Sequence, residues 1–346
     1  DGAAGGDQAA MELARKAHVD AVGALVHAME SAGGSERPAL RDALRVALEQ
    51  AGDKAVPALA TAGKPVALRA VLALALSALP ARRSEALGIA EATAAEAREF
   101  PDRYRLAQAA AALPPSAALD AWLATTAKSA EEWMLRDAAL AALARSAAPN
   151  ATETARAALA DPYPRVRATA LGVLAASPEG FELLAKASRD DKWFLGRIGA
   201  LENLPVAPGS DAVLTAALAD HTAVVRASAI RNARRLRVAT AWSAIEPHVA
   251  RADEYPEVIG EGVGFAKALC VQSSVTALQA VARRGLVPEA WAPDQELALA
   301  ALDALVQLGG DAARWAGDQA RSPLVPEPVR AAIAKRIAAG TPCQPE

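Results

Sequence analysis

The chain has 346 residues, with 37 lysines and arginines against 40 aspartates and glutamates, a formal net charge of −3. Hydrophobic residues make up 53% of it and aromatic residues only 4%, and alanine dominates. This balance argues against a general nucleic-acid binder, which carries a basic face. It also argues against one thick globular core, because each alanine side chain buries little area. Alanine is the best helix former, so the composition suits many small, close helix–helix contacts strung along an extended array.

In chain order, the first residues read "DGAAGGDQAA". Residues 1–10 are expected to be a flexible N-terminal segment ahead of the array. Such a polar start fits a mature exported chain, including one tethered through a lipid-bearing cysteine ahead of Asp1, and export is favoured here over the cytoplasm. The longest apolar stretch, "PVALRAVLALALSALP" at 65–80, contains Arg69 and has proline at both ends. No run of about eighteen apolar residues lacks charges or breakers, so no helix is expected to span a membrane.

From there an arginine recurs near the start of each apolar run: Arg69, Arg105, Arg136, Arg167, Arg197, Arg226 and Arg330. Between Arg105 and Arg226 the steps are 31, 31, 30 and 29 residues. A fixed period in this range marks a solenoid. Each unit reads as a first helix (A), a short polar turn and a second helix (B). In "TETARAALADPYPRVRATALGVLA", Pro162 and Pro164 end helix A and suit the turn and the first turn of helix B. Asp161 can accept from free backbone N–H groups there, and Val166, Ala170, Leu171 and Leu174 form an apolar stripe at helical spacing. Ten helix pairs follow, at 11–50, 53–79, 84–113, 116–147, 150–176, 179–204, 209–237, 239–271, 274–308 and 310–339, with a tail at 340–346.

In three successive units an aspartate stands six residues before the arginine: Asp161 and Arg167, Asp191 and Arg197, Asp220 and Arg226. Over 150–237 this pattern resembles the HEAT repeat, including its short bacterial form. The resemblance implies an all-α, right-handed α-α superhelix spanning 11–339. It also implies a ladder between units, in which Asp161, Asp191 and Asp220 accept while Arg167, Arg197 and Arg226 donate. The chemistry agrees, since the planar arginine fork can satisfy a carboxylate and a helix-end carbonyl together. Glu99 precedes Arg105 by six and Glu131 precedes Arg136 by five, whereas the eighth and ninth units lack the arginine.

Chemical motifs are sparse. The phosphate loop, the HExxH zinc motif and GxSxG are absent, and His18, His27, His221 and His248 are scattered. No metal and no cofactor is expected. "GEGVG" at 260–264 has no strand before it, so Gly260 and Gly264 are read as one helical face that lets a neighbour come close. Cys270 and Cys343 invite a disulfide. Two intervening helix pairs would hold them about 20 Å apart, and the tail after residue 339 reaches about 13 Å, so the bond requires the array to bend and the pairing stays open.

The candidate partner-binding residues are Arg231, Arg234, Arg235 and Trp291. The arginines of "RASAIRNARRLRV" are either an anchor for an acidic partner or a solvated helix end, whose cations suit the dipole and can pair with Glu254, Glu257 or Glu261. Trp133 and Trp193 stand near the register position of Tyr163, which suggests packing between units. Trp291, in "VPEAWAPD", reads as an exposed interface anchor.

The expected function is therefore a non-enzymatic scaffold, or a subunit of a larger assembly, that binds a protein or peptide on the curved face. Two alternatives rest on the resemblance: a nucleic-acid binder similar to the HEAT-like DNA glycosylases, which the acidic balance disfavours, and a role similar to the HEAT-like chromophore lyases.

Overall fold

Helix formation follows the alanine and leucine content, and proline sets many of the starts. The computed structural model describes residues 65–339, Cys343 and short stretches between 24 and 47. The flexible segment expected at 1–10, most of the pair at 11–50, the first helix of the pair at 53–79, His18 and all of the tail except Cys343 lie outside the described residues. Within them the protein is all-α, with no strand.

Two compact units divide at Leu174. The first holds α1 (Val66–Ser77), α2 (Arg83–Ala94), α3 (Phe100–Ala110), α4 (Ala117–Ser129), α5 (Trp133–Arg145), α6 (Ala151–Ala158) and α7 (Pro164–Leu174). The second holds α8 (Gly180–Asp190), α9 (Phe194–Glu202), α10 (Ser210–Ala217), α11 (Ala223–Arg235), α12 (Trp242–Ala250), α13 (Pro256–Ala268), α14 (Val275–Gly285), α15 (Ala292–Leu308), α16 (Gly310–Gln319) and α17 (Glu327–Ala339). The pairs expected from 84 to 339 are the pairs observed.

Each unit is a double layer. In the first, the B helices α1, α3, α5 and α7 pack side by side in chain order, and α2, α4 and α6 back them. In the second, the B row is α9, α11, α13, α15 and α17. Turns between A and B are short, which makes each pair antiparallel. Pro101, Pro256 and Pro293 sit in the first turn of α3, α13 and α15, where a missing N–H costs nothing. Ser116 caps α4 by accepting from the Leu119 N–H at 3.3 Å.

The core is a seam of leucines and alanines between layers. Leu106, Leu135, Leu140, Leu143 and Leu174 are fully buried in the first unit, and Leu184, Leu201, Ile245, Phe265 and Leu302 in the second. "GEGVG" lies inside α13, so it forms no phosphate-cradling loop. Its middle residue, Gly262, makes the close approach: a methyl there would run into Val249 of α12. At Gly264 a side chain would meet the Arg234 guanidinium. The glycines therefore serve two neighbours rather than one shared face.

Candidate interaction surface

The recurring arginines act as clamps. Arg197 donates from Nη1 to the Asp191 carbonyl of its own turn at 2.9 Å. Its Nε and Nη2 grip the Asp220 carboxylate of the next turn at 2.6 and 3.0 Å. Arg136 repeats this on the Ala130 and Glu131 carbonyls at 2.9 and 2.7 Å and on Asp161 at 2.6 and 2.9 Å. Arg226 holds the Asp220 carbonyl at 2.7 Å and grips Glu254 at 3.2 and 2.5 Å. Arg69 reaches Glu96 in the same way. Arg167 donates to the Asp161 and Pro162 carbonyls at 2.8 and 3.1 Å.

The six-residue spacing thus fixes a side chain on its own turn's backbone, not on that turn's carboxylate. The carboxylate belongs to the arginine of the preceding pair. Arg105 departs from the pattern: it pairs with Asp102 on its own helix at 3.1 Å, not with Glu99.

The turn acids also accept from the backbone. Asp161 accepts the Tyr163 N–H at 2.8 Å, Asp191 the Trp193 N–H at 2.9 Å, Asp220 the Thr222 N–H at 2.8 Å and Glu254 the Tyr255 N–H at 2.9 Å. At Asp161, Asp220 and Glu254 one carboxylate therefore ties the arginine of the preceding pair to the residue ahead of the next B helix. Such charge-assisted bonds are about twice as strong as neutral ones.

Glu254 is the last rung. Its side chain is 2% exposed, and His248 Nδ1 lies 2.7 Å from it. Burial pushes its carboxyl up, but the hydrogen bonds from Arg226, His248 and the Tyr255 N–H outweigh burial and bring it from 4.5 to about 2. Asp161 and Asp220 are lowered for the same reasons, burial opposing and Arg136 or Arg197 prevailing. A carboxyl held low in the folded state stabilises it above its unfolded value, and that contribution is lost as pH falls through the folded value. The Glu254 contribution, about 3 kcal/mol, is accordingly expected to be complete above pH 4.5 and gone near pH 2. Acid titrations followed by circular dichroism should show wild type losing stability across this window, with Glu254→Gln flatter there.

The arginine cluster is largely engaged. Arg231 donates to Glu261 at 2.8 Å and Arg234 lies 3.2 Å from the same carboxylate. Arg235 donates to Asn232 and to the Leu204 carbonyl, both at 2.9 Å. The cluster is a set of bonds between α11 and its neighbours. Among the described residues, no group of three His, Cys, Asp or Glu could hold a metal ion, and no helix is long and apolar enough to cross a membrane.

The aromatic residues separate into two kinds. Trp133 stacks on Tyr163 with ring centroids 4.2 Å apart and planes 6° from parallel. Trp242 is buried against Phe265 at 6.3 Å. By contrast Trp193, Tyr255 and Trp291 are 50%, 57% and 62% exposed. All three occupy the N-cap position of a B helix: α9, α13 and α15. The position before α11 holds Thr222. Sequence reasoning singled out Trp291 but missed Tyr255 as its counterpart. Aligning the turns on their acids does not place it there, because Tyr255 follows Glu254 by one residue where Trp193 follows Asp191 by two.

Cys270 and Cys343 are bonded, with Cα atoms 5.8 Å apart. Cys343 lies at the end of α15, where its N–H donates to the Gln307 carbonyl at 2.7 Å.

No family model matches the sequence, and a comparison with curated proteins finds no significant match. Among solved structures, the chain is similar to E. coli YibA at 12% identity and a TM-score of 0.46, over 81% of this chain and 90% of that one. It is similar to human deoxyhypusine hydroxylase, solved with glycerol, at 19% identity and a TM-score of 0.30, over 85% of this chain and 97% of that one. Deoxyhypusine hydroxylase is an enzyme. The expectation that this chain is not an enzyme is therefore withdrawn: helix pairs and an absence of catalytic motifs are no ground for excluding catalysis.

Proposed function

We propose that the chain is a HEAT-like repeat scaffold that binds a protein or peptide partner, as an adaptor or as a subunit of a larger assembly. One observation carries this reading: Trp193, Tyr255 and Trp291 stand exposed at the same register position of the B row in the second unit. Exposed tryptophan and tyrosine are the strongest anchors of protein interfaces. A clamped arginine and a turn acid hold two of these positions, Trp193 and Tyr255, in place from behind. The pairing of Arg231 and Arg234 with Glu261 supports this edge over the arginine cluster as the binding surface, and leaves little for a phosphate backbone to use. The Cys270–Cys343 bond supports an oxidising, extracytoplasmic compartment, where disulfides form and persist.

The test is affinity capture from the native cell with wild type, Trp193→Ala/Trp291→Ala and Arg231→Ala/Arg234→Ala as baits. A stoichiometric protein partner is expected on wild type and on the arginine variant, and its loss is expected on the tryptophan variant. Enrichment of nucleic acid that depends on the arginines would overturn the reading.

A further inference from the structure

The last helix pair is built like an interior one but is covered on one side only. α17 carries Val329, Arg330 and Ala331, the same three residue types in the same order as 166–168 in α7 and 225–227 in α11. Val166 and Val225 are fully buried, and eight residues of α11 are buried between its neighbours in the B row. α17 has the same length as α11 but packs on α15 and α16 and buries Ile333 alone. Ala331, Ala334, Ile337 and Ala338 stand exposed. Arg226 of α11 grips Glu254 of the next pair, whereas Arg330 turns to Glu327 of its own helix at 2.9 Å. Four residues past α17, Cys343 is bonded to Cys270 and lies back at the end of α15. A terminal repeat ordinarily presents a polar outer face, and α17 keeps the alanine-rich face of an interior helix.

We infer that this face binds the same face of a second copy of the chain, so that two chains join through their last helix pairs across a twofold axis. The axis crosses α16 and α17 near their middles. Each helix then lies antiparallel on its copy, A layer on A layer and B layer on B layer, which continues the stacking of helix pairs within the chain. The inference is independent of the scaffold reading above.

Charge selects this partner. Asp311, Arg314 and Asp318 on α16, and Arg321 just past its end, follow one another at steps of three, four and three residues, one stripe of a helix. All four are exposed. Arg314, Asp318 and Arg321, with Arg330, Ala334 and Ala338, line a groove of about 600 Å³ between α16 and α17. Turned end for end, the stripe exchanges every acid for an arginine: Asp311 meets the copy's Arg321, and Arg314 meets the copy's Asp318. In α17 the acid Glu327 stands near the start and Lys335 near the end, so antiparallel pairing opposes these as well. Arg336 is held by Asp303 of α15, which completes the charges of residues 310–339. Within one chain Arg314 pairs with Asp311 and Arg321 with Asp318, but exposed pairs of this kind contribute little and can join a network across the axis. A twofold contact buries both alanine-rich faces at once. A partner of one sign, such as an acidic peptide or a phosphate backbone, would meet its own charge at every second position of the stripe.

Sedimentation equilibrium of the full chain tests this. Wild type is expected to be a reversible dimer that salt weakens. Arg314→Glu/Arg321→Glu makes the stripe wholly acidic, and Asp311→Arg/Asp318→Arg makes it wholly basic. Each variant alone is expected to raise the dissociation constant about tenfold or more, and an equimolar mixture of the two should form a heterodimer at least as tight as the wild-type dimer. Ala334→Glu should weaken the dimer through the B layer. Circular dichroism should show all three variants folded, since every substituted residue is exposed. Wild type that stays monomeric up to about 100 μM overturns the inference. A dimer that both charge variants keep overturns it too, because another surface then holds it, and so does a mixture that stays monomeric.

Discussion

Arg226→Ala is expected to destabilise the second unit by about 3–5 kcal/mol, the cost of leaving a buried charge without its partner. The variant removes both hydrogen bonds to Glu254, whose side chain is 2% exposed, and the bond to the Asp220 carbonyl. The carboxylate would keep only His248 and the Tyr255 N–H. Urea denaturation followed by circular dichroism measures the loss. Because helix pairs contact chiefly their neighbours, the weakening should be local, and amide exchange should rise first in α11 to α13. The double variant Arg226→Ala/Glu254→Gln should recover part of the stability, since a neutral amide is easier to bury than an unpaired carboxylate. A double variant as unstable as the sum of the two singles would show that the rung carries no coupling, and the clamp account would be wrong.

Cys343→Ser is expected to cost about 4 kcal/mol on the chain-entropy account, because the bond closes a loop with a sequence separation of 73. Open, that loop gains freedom in the unfolded state, while the folded state loses a tie between the ends of α13 and the tail beyond α17. Reducing agent should lower the unfolding midpoint of wild type to that of Cys343→Ser and leave the variant unchanged. Identical midpoints for oxidised and reduced wild type would show that the bond holds nothing together. Wild type purified from an oxidising compartment should carry no titratable thiol before denaturation or after it.

The sequence by itself determined the helix pairs and their period. Both are local: proline, alanine content and apolar spacing act within about thirty residues, and every pair from 84 to 339 stands where the pattern puts it. The arginine's grip on its own turn was legible for the same reason, because six residues separate Arg197 from the Asp191 carbonyl. Which carboxylate the arginine takes was decided only by stacking, since Asp220 lies 23 residues away and Glu254 lies 28 from Arg226. A glutamate at the end of the ladder does not announce itself, because its longer side chain shifts the register by a residue. The sequence left the arginine cluster either as an anchor for an acidic partner or as a helix end able to pair with Glu254, Glu257 or Glu261, and stacking brought Glu261 against it. Cys270 and Cys343 looked too far apart when measured along the row of helices, yet Cys343 lies at the end of α15, within bonding reach of Cys270. The rings show the division most simply. Trp133 and Trp193 stand within one residue of the same place in their repeats, but the next repeat offers Tyr163 to one and Thr222 to the other. Burial of a side chain depends on what the neighbouring helix presents, and that neighbour is chosen by the stack rather than by adjacent residues.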